Sequence, residues 1–225
     1  MAQQRIMIDS RDRVPGSSIQ CATYVLDKPV QNITCCRLDF CQIFNTFYNI
    51  YDSDTIVVDN TVKVISPGFY TNEELVQAID VLLKQVDSSI SATYSTITGF
   101  CTWNMGSHVL NLGSARHLIG LDEQQTGVFQ TIINTSNPLS IQIMIPECSG
   151  ADSQRSTNRN SIDMTPIATI PIYSSHNELN FFQPMYPSII SCQSTSLQRF
   201  TIQLMDSNGM KLSNITDYQI HLTMF

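Results

Sequence analysis

Chemistry in this chain could come from seven cysteines (Cys21, Cys35, Cys36, Cys41, Cys101, Cys148 and Cys192), four histidines (His108, His117, His176 and His221) and a few acidic or hydroxyl neighbours. The cysteines are odd in number and irregularly spaced. Cys36 and Cys41 form a C-x4-C with no second pair. A structural zinc site draws four ligands at recognisable spacings. The cysteines are therefore read as reduced thiols, mostly in strands, packing as small hydrophobes. The histidines lie far apart, with no H-x-H or H-E-x-x-H pair, so the clustered ligands of a cupin-type metal site are missing. Gly106-Ser107-His108 puts a hydroxyl beside an imidazole, but neighbours in a strand point to opposite faces. There is no G-x-S-x-G elbow and no phosphate-cradling Walker loop. Glu73 and Glu74 could be taken for a carboxylate pair, but helix capping already explains them. No catalytic residue, metal or cofactor is assigned, and an enzyme is not expected. It would need a site converged from residues distant in sequence.

The elements that would position any site are mostly strands. The one convincing helix lies in Ser66 to Val86. Thr71 is its expected N-cap, with Glu74 three residues on to complete a capping box. Leu75, Ile79, Leu82, Leu83 and Val86 recur at three- and four-residue steps and form one apolar stripe. Such a stripe must be laid against a sheet. The rest reads as roughly ten to twelve short strands separated by turns, the signal of an all-β sandwich or barrel. Ile33 to Phe44 alternates, with Cys36, Leu38 and Phe40 expected on one face and Cys35, Arg37, Asp39 and Cys41 on the other. Thr55 to Val58 and Val62 to Ile65 are expected to form a hairpin about Asp59-Asn60-Thr61. Phe100 to Met105 and His108 to Asn111 read as two strands, and Trp103 as a core or interface residue. Pro171 puts the strand Ile167 to Tyr173 at an edge or a bulge. Phe200 to Met205 and Tyr218 to Phe225 read as a closing hairpin.

Charged residues make up only 14% of the chain, which suits surfaces buried in an assembly. The net charge of −7 argues against binding nucleic acid by neutralising phosphates. The first residues lack the apolar run of a secretion signal, and no run approaches the roughly 20 apolar residues of a membrane span. Without repeats or a composition break, the expected organisation is an N-terminal arm, 1–18, followed by a single domain, 19–225. Arg5, Arg11 and Arg13 mark the arm, which either is solvated or pairs with a neighbouring subunit. The stretch 147–163 holds almost nothing apolar and reads as a long exposed loop carrying Arg155, Asn158 and Arg159.

Four stretches resemble one family. IDSRDRVPGSS is similar to an opening DS-R-R-x-x-G-S, and ISPGFYTNEELVQAI to a P-G-x-Y-[ST] segment leading into a helix. LNLGSARHLIGL is similar to a strand followed by A-x-x-[IL]-[IL]-G-[FL]. FTIQLMDSNGMKL followed by YQIHLTMF resembles a terminal [IL]-x-[IL]-x-[IL]-x-D-x-x-G hairpin. In order and spacing they resemble the single jelly-roll penton, or minor capsid, proteins of virophages and of Polinton/Maverick or adintovirus-like elements. The resemblance implies a jelly-roll sandwich of two four-stranded antiparallel sheets with one helix. It also implies a homopentamer at the fivefold vertices of an icosahedral double-stranded DNA virus. The implied partners are further copies of the chain, a double jelly-roll major capsid protein and, at such a position, a vertex fibre or host receptor. The implied location is the virion, with the arm reaching the shell interior or a neighbour. The alternative function is a jelly-roll module for host attachment or glycan binding, carried by the 147–163 loop.

Overall fold

Alternating and β-branched runs form the strands of a computed structural model that describes residues 3–51, 54–135, 140–148, 166–192, 196–207 and 209–225. In chain order these are β1 (Gln4–Asp9), β2 (Cys21–Gln31), β3 (Cys35–Phe44), β4 (Thr55–Val58), β5 (Thr61–Val64), the helix α1 (Asn72–Lys84), β6 (Ser91–Tyr94), β7 (Phe100–Asn111), β8 (Gln125–Ile132), β9 (Ser140–Met144), β10 (Ala168–Pro171), β11 (Leu179–Phe182), β12 (Ile189–Ser191), β13 (Ser196–Asp206) and β14 (Tyr218–Met224). All pairings are antiparallel. The chain is all-β in class, a jelly roll with one α-helix among the described residues. The chain divides into two compact units. One joins Met1–Phe47 to Pro138–Phe225; the other is Tyr48–Asn137.

The first unit is the sandwich. Its first sheet runs β1-β14-β3-β11, with β12 also on β3; its second runs β10-β9-β13-β2. Inward side chains of both sheets, among them Leu38, Ile43, Ile220 and Leu222 from the first and Ala22, Ile143, Phe200 and Ile202 from the second, make one core. Each fully buried Leu or Ile contributes about 1.5–3 kcal/mol, so this face-to-face packing dominates the unit's stability. Both prolines within strands, Pro29 in β2 and Pro171 in β10, sit on the two edges of the second sheet. There their missing N–H breaks no ladder. Residues 4–9, part of the stretch read as an arm, form β1 and pair along their whole length with β14 of the same chain.

Two sequence expectations are corrected here. First, β13 and β14 are not a hairpin: β13 pairs with β2 and β9, and β14 with β1 and β3. The apparent turn at Asp206 is real, with Met210 N–H donating to Asp206 Oδ1 at 2.8 Å. The chain beyond it folds back only through Lys211, opposite Met205, and Leu212, whose N–H donates to Leu204 O at 3.2 Å, and then crosses to the other sheet. Second, the alternation of β3 reverses partway. His221 lies opposite Phe40 and Leu222 opposite Leu38, so Asp39 is an extra, bulged residue. Beyond the bulge Cys41 and Ile43 are buried, and Phe40 is turned out.

In the second unit the sheet runs β5-β4-β7-β6, with β8 along the other side of β7. The stretch read as two strands around Gly106 is the single β7, with a register break between Asn104 and Val109 where Gly106 takes φ +55°. The hairpin of β4 and β5 turns on Asp59, at φ +53°. The helix begins as its sequence dictates: Glu74 N–H donates to Thr71 Oγ1 at 3.3 Å and Thr71 N–H to Glu74 Oε2 at 2.9 Å. Leu75, Val76, Ile79 and Leu83 are buried, and Leu82 and Val86 pack partly against the same core as Trp103 and Leu110. Among the described residues no helix is long and apolar enough to cross a membrane.

Candidate functional site

The bulge in β3 builds the most distinctive surface of the first unit. On the outer face of its first sheet a row crosses four strands: Met7 on β1, His221 on β14, Phe40 on β3 and Phe181 on β11. Met7 lies opposite His221 and His221 opposite Phe40. The Phe40 ring centroid is 5.0 Å from that of His221 and 6.1 Å from that of Phe181. Without the extra residue at Asp39, Phe40 would point into the core and the row would have a gap. Met7 is 77% exposed and Phe181 59%. Beside the row, Arg37 donates from Nε to Asp39 Oδ1 at 2.8 Å and its guanidinium sits 5.1 Å over the Phe225 ring. Thr223 donates to the other Asp39 oxygen. A groove of about 550 Å³ runs along this face, lined by Arg5, Met7, Arg37, Asp39, Phe40 and His221 among others. Exposed Met and Phe beside Arg is the composition of a protein–protein contact, where these residue types are enriched.

The arginines singled out by the sequence divide in role. Arg5 is on β1, opposite Thr223, and lines the groove. Arg11 lies in a 3-10 turn, Ser10–Asp12, capped by Asp9. Its backbone N–H, Nε and Nη2 donate to the Asp9 carboxylate at 2.9, 2.8 and 2.5 Å. That pairing with Arg11 holds the Asp9 carboxyl well below the usual range. Arg13 Nη1 donates to Ser10 O at 2.8 Å. Ser10 Oγ donates to the Asp217 carboxylate and accepts from Tyr218 N–H at 3.2 Å. The D-S-R-x-R stretch thus fastens the end of β1 to the start of β14. Arg155, Asn158 and Arg159 lie outside the described residues.

Ser107 and His108 do not form a nucleophile pair. His108 Nδ1 is 2.8 Å from Asp59 Oδ2 and its Nε2 is 3.5 Å from Asp87 Oδ2. Both ring nitrogens face carboxylates, so neither is placed to take a proton from Ser107. The bond to Asp59 raises the pKa of His108, while His108 and the Val109 N–H lower that of Asp59.

A second feature is buried in the same unit as the groove. Cys36 of β3, Cys148 of the 3-10 turn Pro146–Cys148 that follows β9, and Cys192 just after β12 bring their sulfurs within 4.8 Å of one another. The ladder explains the first pair. Ile190 lies opposite Cys36, and Cys192 N–H donates to Thr34 O at 2.7 Å, so Cys36 and Cys192 are diagonal neighbours on the inward face. Cys148 comes from the other sheet, its turn held where Thr201 N–H donates to Glu147 Oε2 at 3.0 Å. Cys36 and Cys148 are fully buried and Cys192 partly. Hydrogen bonds within the trio, to Cys148 and then Cys192, raise the Cys36 thiol, while those from Cys148 and Cys36 lower that of Cys192.

No protein-family model matches the chain, and no curated protein does. Among solved structures, the crystal structure of the selenomethionine-labelled mavirus penton protein aligns with a TM-score of 0.50 at 10% identity, over 99% of this chain and 99% of that one. The Sputnik virophage structure, from cryo-electron microscopy at 3.5 Å, aligns at a TM-score of 0.46 and 10% identity, over 98% of this chain and 97% of that one. The chain is penton-like in fold.

The sequence did not bring Met7, Phe40, Phe181 and His221 together on the outer face, because a bulge that reverses alternation leaves no mark in the period. It also dispersed the three cysteines, whose positions in sequence are 112 and 44 apart. Cys36 and Cys192 fell in or beside strand-like runs, but Cys148 was read at the start of the exposed loop 147–163 and is instead fully buried in a 3-10 turn.

Proposed function

We propose that this protein is a structural capsid protein, forming homopentameric pentons at the fivefold vertices of an icosahedral double-stranded DNA virus. The observation that carries the reading is the likeness to the mavirus penton protein, end to end over both chains. On this reading five copies close a cyclic ring in which one face of each subunit meets a different face of the next. The exposed row of Met7, His221, Phe40 and Phe181 is one such face, and Arg5 beside it is the residue of the N-terminal stretch that meets the neighbour. The ring then contacts other capsid proteins, a double jelly-roll major capsid protein first among them, and resides in the virion.

Light scattering on the purified chain tests this. The expected mass is near five times 25.3 kDa, with rings in negative-stain images of the same peak. Met7→Asp with Phe181→Asp alters two exposed side chains, and is expected to return the mass to 25.3 kDa with far-UV circular dichroism unchanged. A trimer would favour an attachment spike instead. A wild-type chain that stays monomeric alone and fails to enter shells on co-expression with a major capsid protein would overturn the proposal.

A further inference from the structure

We propose that Cys36, Cys148 and Cys192 form a binding site for one thiophilic d10 cation, Zn²⁺ or Cu⁺, which ties together the two sheets of the sandwich. The site is independent of any vertex role. Three separate parts of the chain deliver the three sulfurs, and all lie within 4.8 Å of one another. With metal–sulfur bonds of about 2.3 Å, two thiolates on a common ion sit roughly 3.8–4.0 Å apart, so closing around an ion needs movements of under about 1 Å. Cys192 can supply that movement, being only partly buried and lying just beyond the end of β12. A disulfide is a poorer match. It would bring two sulfurs to about 2.05 Å and leave the third unused.

The donor set fixes the class of ion. Among the described residues the group holds only sulfur donors, with no carboxylate or imidazole in it. Hard cations such as Ca²⁺ and Mg²⁺ need oxygen ligands; thiolates select Cu⁺ and Zn²⁺. Three thiolates complete a trigonal Cu⁺ site. For Zn²⁺ they fill three corners of a tetrahedron and leave the fourth to water. Binding is not a redox step: the ion displaces the remaining thiol protons to solvent, and no electrons move. Cys36 and Cys192 come from the first sheet and Cys148 from the turn after β9 of the second. An ion held by all three is therefore a cross-link between the sheets.

The test uses the full chain, reduced and stripped with a chelator, then given either Zn²⁺ or Cu⁺ and dialysed. Elemental analysis is expected to find about one ion per chain in at least one arm, and the arm that fills identifies the ion. The filled protein melts higher than the stripped one. Cys192→Ser and Cys148→Ser are expected to lose the ion, while Cys21→Ser, outside the group, keeps it. On the wild-type chain, independent of how any variant folds, the bound ion is expected to protect Cys192 from iodoacetamide. Less than about a tenth of an equivalent in both arms would overturn the proposal. So would full binding by Cys192→Ser, or a disulfide within the trio in freshly purified protein.

Discussion

Tyr24 on β2 and Tyr218 on β14 reach toward each other between the two sheets, their hydroxyls 2.8 Å apart. They are 4% and 1% exposed, and the Tyr24 ring stacks on Phe200 at 5.7 Å. Tyr218→Phe keeps the ring volume but leaves the Tyr24 hydroxyl buried without that partner. The lost bond is worth about 1 kcal/mol net and the stranded hydroxyl adds about 1–3 kcal/mol. Taking the low end of each, Tyr218→Phe should cost about 2 kcal/mol, or roughly 4–8 °C in melting temperature for a chain of this size. Tyr24→Phe with Tyr218→Phe removes both hydroxyls, strands neither, and should cost less than about 1 kcal/mol. The assay is urea unfolding followed by far-UV circular dichroism. Tryptophan fluorescence is the wrong probe, since Trp103, the one tryptophan, belongs to the other unit. If the double variant loses as much as the two single losses added together, the inter-sheet bond does not carry the stability assigned to it. A second signature lies at alkaline pH. Burial pushes the Tyr24 hydroxyl up to about 12, and burial and the bond to Tyr24 push Tyr218 up as well. Their contribution is full below the unfolded value of about 10 and is lost as pH rises through the folded values. The double variant should lack that alkaline slope.

The second unit carries three further predictions. His108, raised by Asp59 and Asp87, should titrate by NMR with a midpoint above the unperturbed value of about 6.5. Its stabilising contribution is full below that value and lost as pH rises through the folded pKa, so His108→Gln should flatten the melting temperature across that window. A midpoint at or below the unperturbed value would refute the ion pair. Thr71→Ala breaks both halves of the capping box and should cost about 1 kcal/mol by Trp103 fluorescence, while Thr71→Ser should cost far less. Gly120→Ala must bear φ +64° and a Cβ that would sit 2.4 Å from Ile132 O, whereas Gly99→Ala bears φ +74° with nothing within 4 Å. The second should lose about 1 kcal/mol and the first clearly more; equal losses would show that the Ile132 backbone yields.

What was legible in the sequence was whatever obeys a short period. Thr71 and Glu74 announce the helix because capping is a contact between residues three apart. Pro171 declares an edge because an absent N–H is a local fact. Turns and β-branched runs were enough for an all-β sandwich or barrel, and the resemblance in motif order pointed to the jelly roll and the penton-like fold. The bulge at Asp39 was invisible, since it is set by the partner strand β14, which lies some 180 residues on. The same cause hid the separate sheets of β13 and β14: each strand alternates as a hairpin partner would, and only the choice of partners tells them apart. Val76 widened the helix stripe: it lies three residues before Ile79 and seven before Leu83, on the same face, and the stripe was read without it. The thiol trio depends on a diagonal across one ladder and on a turn from the opposite sheet, neither of which sequence spacing encodes.

The interrupted first unit also sets a timetable for synthesis. Residues Tyr48–Asn137 form a continuous unit whose strands all find partners within ninety residues of one another. That unit can fold while the ribosome is still working. The sandwich cannot. β14 lies between β1 and β3, so both emerge early and wait for a strand more than 170 residues later in the chain. At roughly 5–20 residues per second the delay is on the order of 10–40 s. Throughout it β1 and β3 offer unpaired edges that could join the same strands of another nascent chain on the same message. Slowing translation just before Tyr218 should raise the insoluble fraction. Holding the first strands in a chaperone until β14 arrives should lower it.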